Sequence, residues 1–236
     1  MANFLNFSSD KPNAFLLLID DSGSMDHDET RMKEGLRAFK KSFDNFPEAN
    51  SIAISKSLFG NERVRLGEFK RLSEFDTSYS AYGGTPLYYA IENGAKHLRT
   101  YMKEVMEQNK IEPIGTFIVL SDGESCHDSG TVRDAKEAIE VLNYAGITTV
   151  FIAFGESMSS KFGEKLGFMS TIDVRDREAL THFLGVELSH SFKEQSQRNQ
   201  PLGANFFSGA VNSSSSAGYS ATTAQALEDD SWFDDI

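Results

Sequence analysis

The sequence predicts an α/β fold: a central, mostly parallel sheet with one antiparallel edge strand and helices on both faces. Three observations carry this reading. Short unbroken apolar runs recur at residues 14–19 (AFLLLI), 116–120 (TFIVL) and 148–154 (TTVFIAF), as strands covered on both faces should read. Longer stretches with apolar residues at helical spacing separate them, the alternation that builds parallel sheets through crossover helices. Only the pair 51–59 and 64–69 is joined by a short turn, Gly60-Asn61-Glu62, which makes it an antiparallel hairpin at one edge.

The elements follow in order. After the first strand, Met32, Leu36, Phe39, Phe43 and Phe46 recur at steps of four, three, four and three, an amphipathic helix over 31–46 that Pro47 closes. The longest helix is predicted at 86–106, with Leu87, Ile91, Ala95, Leu98, Met102 and Val105 on one stripe. The strand at 116–120 ends in Ser121, Asp122 and Gly123. A helix over 132–145 carries Val132, Ala135, Ile139 and Leu142, with Gly146 placed as a glycine that ends a helix in the left-handed conformation. A last strand is expected near 169–174. A helix over 176–191 follows it, striped by Leu180, Phe183, Leu184 and Leu188. No internal repeat is present.

The 236 residues suit one such domain. A domain of this size buries roughly 70–75% of its unfolded surface and needs no covalent staple. The single cysteine, Cys126, excludes an internal disulfide and fits a reducing compartment. The first residues lack the basic and apolar regions of a signal peptide. The apolar run at 14–19 is far short of the roughly 20 residues that cross a bilayer. These features predict a cytoplasmic protein without membrane contact. A net charge of −12 argues against nucleic acid, since no excess of cations exists to release phosphate counterions.

Beyond Arg198 neither lysine nor arginine occurs again, and 208–223 is dominated by serine, glycine and alanine. The reading divides the chain into a domain at 1–198 and a flexible segment at 199–236, because such a composition buries too little apolar surface to offset its ordering entropy. The segment ends in LEDDSWFDDI, where Asp229, Asp230, Asp234 and Asp235 flank Trp232 and Phe233. It reads either as a solubilising acidic tail or as a tethered docking motif for a partner's basic groove. Less favoured is an acid of the tail reaching a metal on its own or a neighbouring chain.

The chemistry concentrates where strands end. Asp20, Ser22 and Ser24 place three oxygen side chains on alternate positions as the first strand gives way to a loop, able to aim at one point. Hard cations take such oxygen ligands. Asp122 ends the second buried strand. In open α/β sheets ligands bind outside the carboxyl ends of strands, where connections reverse direction. Between these segments lies Tyr82-Gly83-Gly84-Thr85-Pro86, where glycines allow close backbone approach and Thr85 precedes a helix. Taken singly, Thr85 is an ordinary helix cap and Asp122-Gly123 an ordinary turn. Their conjunction makes the site.

DDSGS at 20–24, GGTPLYYAI at 83–91 and VLSDGES at 119–125 resemble the three segments of the metal-ion-dependent adhesion site of von Willebrand factor A domains, in order and spacing. The resemblance covers most of the chain, residues 10–195, and implies a Rossmann-like von Willebrand factor A fold. It implies metal ligation by Asp20, Ser22, Ser24, Thr85 and Asp122, a complete set. It further implies hydroxyls that coordinate directly and aspartates that act often through water, so that Mg²⁺ keeps positive charge and an open position for a partner's Asp or Glu. Mn²⁺ and Ca²⁺ are alternatives. Distant charges are screened beyond about 8–10 Å, so the overall −12 does not forbid an acidic ligand.

A rim of Tyr82, Gly83, Gly84, Glu124 and His127 is expected around the metal, with Tyr79 and Tyr88 as further aromatic candidates. Asp26, Asp28 and Glu29 read as a solvated acidic loop, with a second cation as the alternative. Receiver domains are disfavoured because 53–68 holds no aspartate for phosphorylation. Haloacid-dehalogenase phosphatases need an acid where Ser22 stands, and an EF-hand needs glycine where Met25 stands. The sequence therefore predicts a non-enzymatic, Mg²⁺-dependent protein-interaction adaptor. Its resemblance to stand-alone bacterial members implies a stress setting of the tellurite-resistance type, with a kinase, phosphatase or AAA+ ATPase as partner. The alternative is a metal-dependent hydrolase or phosphatase, for which Glu124 and His127 are the candidates to activate water.

Overall fold

The computed structural model describes residues 11–61, 63–123, 125 and 128–208, and the backbone of 219–223. Its sheet has the parallel centre the apolar runs require. β1 (Asn13–Asp20) lies between β2 (Ile52–Gly60) and β5 (Ile114–Ser121), and β6 (Thr148–Phe154) and β7 (Ser170–Val174) continue the parallel order beyond β5. Every residue of β1, β5 and β6 is buried, which is why these strands read as continuous apolar runs rather than alternating ones.

Side chains of β1 divide by parity between two apolar layers. Phe15, Leu17 and Ile19 pack with Met32, Leu36 and Phe39 of α1 (Glu29–Lys41) and with Phe183, Leu188 and Phe192 of α5 (residues 180–198). Leu16 and Leu18 pack with Leu87, Ile91 and Leu98 of α2 (Leu87–Asn109), Ile139 of α3 (Val132–Tyr144) and Leu166 beside α4 (Ser160–Lys165). The α1 and α5 backbones meet closely through two glycines. A Cβ on Gly35 would sit 2.7 Å from Leu184 Cδ1, and one on Gly185 2.7 Å from Ala38 Cβ. Gly185 lies in a π-helical stretch, Phe183–Leu188, inside α5.

The hairpin is antiparallel as expected but broken. β3 (Arg63–Arg65) and β4 (Lys70–Arg71) each pair with β2, and Gly67 separates them. There the Ser55 hydroxyl donates to the Gly67 carbonyl at 2.8 Å and the Gly67 N–H donates to Ser57 Oγ at 3.1 Å, so side chains replace the backbone ladder. The first helix is shorter than its stripe implied, since α1 ends at Lys41 and Phe43 and Phe46 pack from the turn that follows. Gly146 adopts φ +71° just past α3, as predicted.

Three features correct the sequence reading. α4 was not anticipated. Packed structure continues past residue 198: Leu202, Phe206 and Phe207 are buried in the α1/α5 layer, Phe206 and Phe207 with rings 5.1 Å apart. β8 (Tyr219–Thr223), in the stretch expected to be a linker, pairs antiparallel with β7, so both sheet edges are antiparallel rather than one. Backbone pairing depends little on side-chain hydropathy, and composition alone therefore missed this strand.

Candidate metal centre

From β1 the chain passes through α1 to β2 on one side, then returns through α2 to β5 on the other. The carboxyl ends of β1 and β5 thus flank the point where connections reverse, and the predicted residues gather there.

Asp20 closes β1. Its Oδ1 accepts the Ser22 N–H at 2.9 Å and its Oδ2 accepts the Ser121 hydroxyl at 2.6 Å. Ser24 Oγ donates to Asp122 Oδ1 at 2.6 Å, and the Ser22 and Ser24 hydroxyls lie 3.1 Å apart. Four of the five predicted ligands therefore share one local hydrogen-bonded cluster. The segment carrying Thr85 is laced to both strand ends by its backbone. Tyr82 N–H donates to the Asp21 carbonyl and Gly23 N–H to the Gly83 carbonyl, both at 2.8 Å, and Ser125 Oγ donates to the Thr85 carbonyl at 3.2 Å. Gly83 is needed for this approach: φ is +82°, and a Cβ would fall 2.4 Å from Asn61 Cα.

Both acids are short of positive charge. Burial pushes the Asp20 carboxyl up to about 6, against the opposing hydrogen bonds from Ser121 and Ser22, and the Asp122 charge adds to the rise. Burial likewise raises Asp122, with the Ser24 hydrogen bond opposing. The donors are all oxygens, two carboxylates and several hydroxyls, the chemistry of a hard cation. Among the described residues no cluster of three or more His, Cys, Asp or Glu forms a metal site.

The neighbouring acids have other duties. Asp21 turns away from the cluster and pairs with Arg65. Asp28 is fully buried, contacting Arg31 at 3.4 Å and paired with Arg177, so it is neither solvated nor available to a second cation. Glu29 pairs with Lys33 and accepts the Ala81 N–H. Tyr82 is exposed, and Gly83 and Gly84 lie on the same accessible loop. Tyr79 is not on the rim, because its hydroxyl is buried and donates to the Asp20 carbonyl at 2.5 Å. Tyr88 is half-buried and stacks on Phe162 at 6.1 Å. Glu124, His127 and the tail residues Asp229, Asp230, Trp232, Phe233, Asp234 and Asp235 lie outside the described residues.

Two supporting residues escaped the sequence reading. Ser121 bonds Asp20 because Ile19 pairs with Leu120 in register, which puts the two following residues opposite one another. Asp128 caps α2 from a distant loop: its carboxylate accepts the N–H groups of Tyr88 at 2.6 Å and Tyr89 at 3.1 Å, and also that of Gly130 at 2.8 Å. The cap position itself is Pro86, whose side chain makes no such bond. The Asp-Ser-Gly sequence at 128–130 was a signal for a turn, but not for whose helix it would cap.

A family model for the von Willebrand factor type A domain matches residues 16–184. Among solved structures, the fold is similar to the pilus adhesin SpaC from Lactobacillus rhamnosus GG, with TM-score 0.57 and 13% identity over 80% of this chain and 30% of that one. It is also similar to proximal thread matrix protein 1 from the mussel byssus with a zinc-occupied MIDAS motif, at TM-score 0.54 and 16% identity over 75% and 48% of the two chains. The N-terminal domain of TFIIH p34 gives TM-score 0.53 and 12% identity over 75% of this chain and 98% of that one. This chain spans less than half the length of the adhesin or the thread protein. At such identities the likeness is one of fold. No curated protein matched the chain.

Proposed function

The chain belongs to the von Willebrand factor type A domain family, and from that premise we propose that it is a protein-interaction module that captures a partner's Asp or Glu side chain at a divalent cation. Asp20, Ser22, Ser24, Thr85 and Asp122 hold the cation, and Mg²⁺ suits their all-oxygen set. Mn²⁺ and Ca²⁺ are alternatives. The observation that carries this reading is the convergence of two buried carboxyls, both with proton affinity raised by burial, with two serine hydroxyls where the sheet connections reverse. Bound there, a cation supplies positive charge and a coordination position for an incoming carboxylate.

The chain's own residues do the rest. Ser121 and the Ser22 amide orient the Asp20 carboxylate, and Ser24 orients that of Asp122. With only two acids in the set, the anionic charge stays low enough for a third carboxylate to be attracted rather than repelled. Exposed Tyr82 is positioned to read the residues flanking the captured acid. The partner classes we favour are a kinase, a phosphatase or an AAA+ ATPase in a bacterial stress system. We assign no catalytic step: among the described residues, the groups hydrogen-bonded into the cluster beyond its acids are hydroxyls and backbone, and Glu124 and His127 lie outside them.

Titration of metal-stripped protein with Mg²⁺ and Mn²⁺, run beside partner capture with and without chelator, tests the proposal. Thr85→Ala is expected to weaken cation affinity by about tenfold or more and to abolish capture, on the scale of losses seen when groups supporting a metal site are removed. Capture indifferent to chelator and to Thr85→Ala would overturn it. Turnover lost in a Glu124→Ala variant that still captures its partner would move the reading to a metal-dependent hydrolase.

A further inference from the structure

At the opposite end of the sheet, a groove of about 410 Å³ opens between the second half of α2 and the starts of β5 and β6. That volume lies within the roughly 300–1,000 Å³ of ligand-sized pockets. Lys96, Arg99, Lys103 and Met106 line it at steps of three, four and three, which makes them one stripe of α2. Met102 lines it beside them, and Glu112 is its one acid. Lys103 lies 3.7 Å from Glu107, whereas Lys96 and Arg99 have no ion-pair partner among the described residues. Met106 is 48% exposed, an apolar surface set among cations. A protein of net charge −12 thus keeps a positive, partly apolar groove.

We propose that this groove is the docking site of the chain's own acidic aromatic segment, LEDDSWFDDI at 227–236, with Trp232 and Phe233 over the methionines and the flanking acids on Lys96, Arg99 and Lys103. Charge and composition match: five acids around two aromatic residues meet three cations around an apolar floor. Reach matches too. Thr223, the last residue of β8, pairs with Ser170 at the start of β7, and so lies at the same end of the sheet as the groove. From β8 to β5 is three strand spacings of about 4.8 Å, and a helix packs about 10 Å above a sheet, so the groove lies roughly 20 Å away. Eight residues separate Thr223 from Trp232, and the nine Cα-to-Cα steps span up to about 30 Å when extended. The inference is independent of the metal centre, which sits at the other end of the strands.

Trp232 is the only tryptophan, so its fluorescence reports the segment without a label. In the full chain its emission should be blue-shifted and protected from acrylamide relative to a free peptide of residues 225–236. Protection should be independent of protein concentration and lost in about 1 M salt, where charges are screened beyond about 3 Å. The triple variant Lys96→Glu, Arg99→Glu, Lys103→Glu should bring the emission to that of the peptide. Lys161→Glu with Lys165→Glu, a charge reversal elsewhere on the surface, should leave it protected, and circular dichroism checks that both variants fold. Three results overturn the proposal: wild-type emission equal to that of the free peptide, protection unaffected by the groove variant, or protection that disappears on dilution and so assigns the occupant to a second copy.

Discussion

Burial lifts the Asp20 carboxyl from its ordinary 3.8 to about 6 because the hydrogen bonds from Ser121 and Ser22 only partly offset the loss of solvent and Asp122 adds a like charge. The sign follows from proton linkage. Between about pH 4 and 6 the folded state binds more protons at Asp20 than the unfolded state does, so stability falls as pH rises through that window. The full effect is about 3 kcal/mol, at about 1.4 kcal/mol for each tenfold change in proton affinity. Asp122, raised by burial as well, acts in the same sense. Metal-free protein should therefore become easier to unfold in urea from pH 4 to pH 6, Asp20→Asn should flatten that trend, and Mg²⁺ should restore stability above pH 6 by binding only the folded state. A wild-type profile no steeper than that of Asp20→Asn would refute the assignment of this carboxyl as the strained group. Asp28 shows the other outcome for a buried acid. Arg31 and Arg177 neutralise it, and its pairing ties the first loop to the start of the last long helix.

At the scale of elements, the site depends on how three segments are fastened rather than on any one strand. Asp128 fastens the third, since it accepts the first free N–H groups of α2 and also binds the Ser125 hydroxyl. A carboxylate at a helix N-terminus gains from both the bonds and the helix dipole. Asp128→Ala should cost about 1–2 kcal/mol. Hydrogen exchange should quicken at Tyr88 and Tyr89 but not near Val105, and cation affinity should fall because Thr85 sits one turn before the released amides. Exchange that quickens uniformly along α2 would mean that Asp128 serves global stability instead. Neither this cap nor the Arg177–Asp28 pair was legible in the sequence, because each joins residues 40 or 149 positions apart. What was legible had local causes: buried runs became β1, β5 and β6, stripes became α2 and α3, and Asp20, Ser22 and Ser24 fell at a strand end that hydropathy alone could locate. α4 is only six residues long, shorter than a stripe can reveal.

For the whole molecule, the consequence lies in where the fold stops. A composition rich in serine, glycine and alanine places the end near residue 198, yet Phe206 and Phe207 are buried against the α1/α5 layer and β8 covers the open side of β7. Removing a buried phenylalanine side chain costs about 3–5 kcal/mol, and whole domains are stable by only about 5–15 kcal/mol. A chain ending at residue 198 forfeits both aromatic residues and Leu202, so it should be unfolded or lack a cooperative urea transition. A chain ending at residue 208 keeps them and should fold, but it leaves β7 as an unpaired edge, the kind of surface that pairs with other chains. It should self-associate at concentrations where a chain ending at residue 223 remains monodisperse. Urea denaturation and light scattering on the three truncations separate these outcomes. If the 198-residue chain unfolds with the same midpoint and slope as the full chain, the aromatic residues beyond it contribute nothing to the core. If instead the 208- and 223-residue chains scatter alike, β8 does not protect the sheet edge.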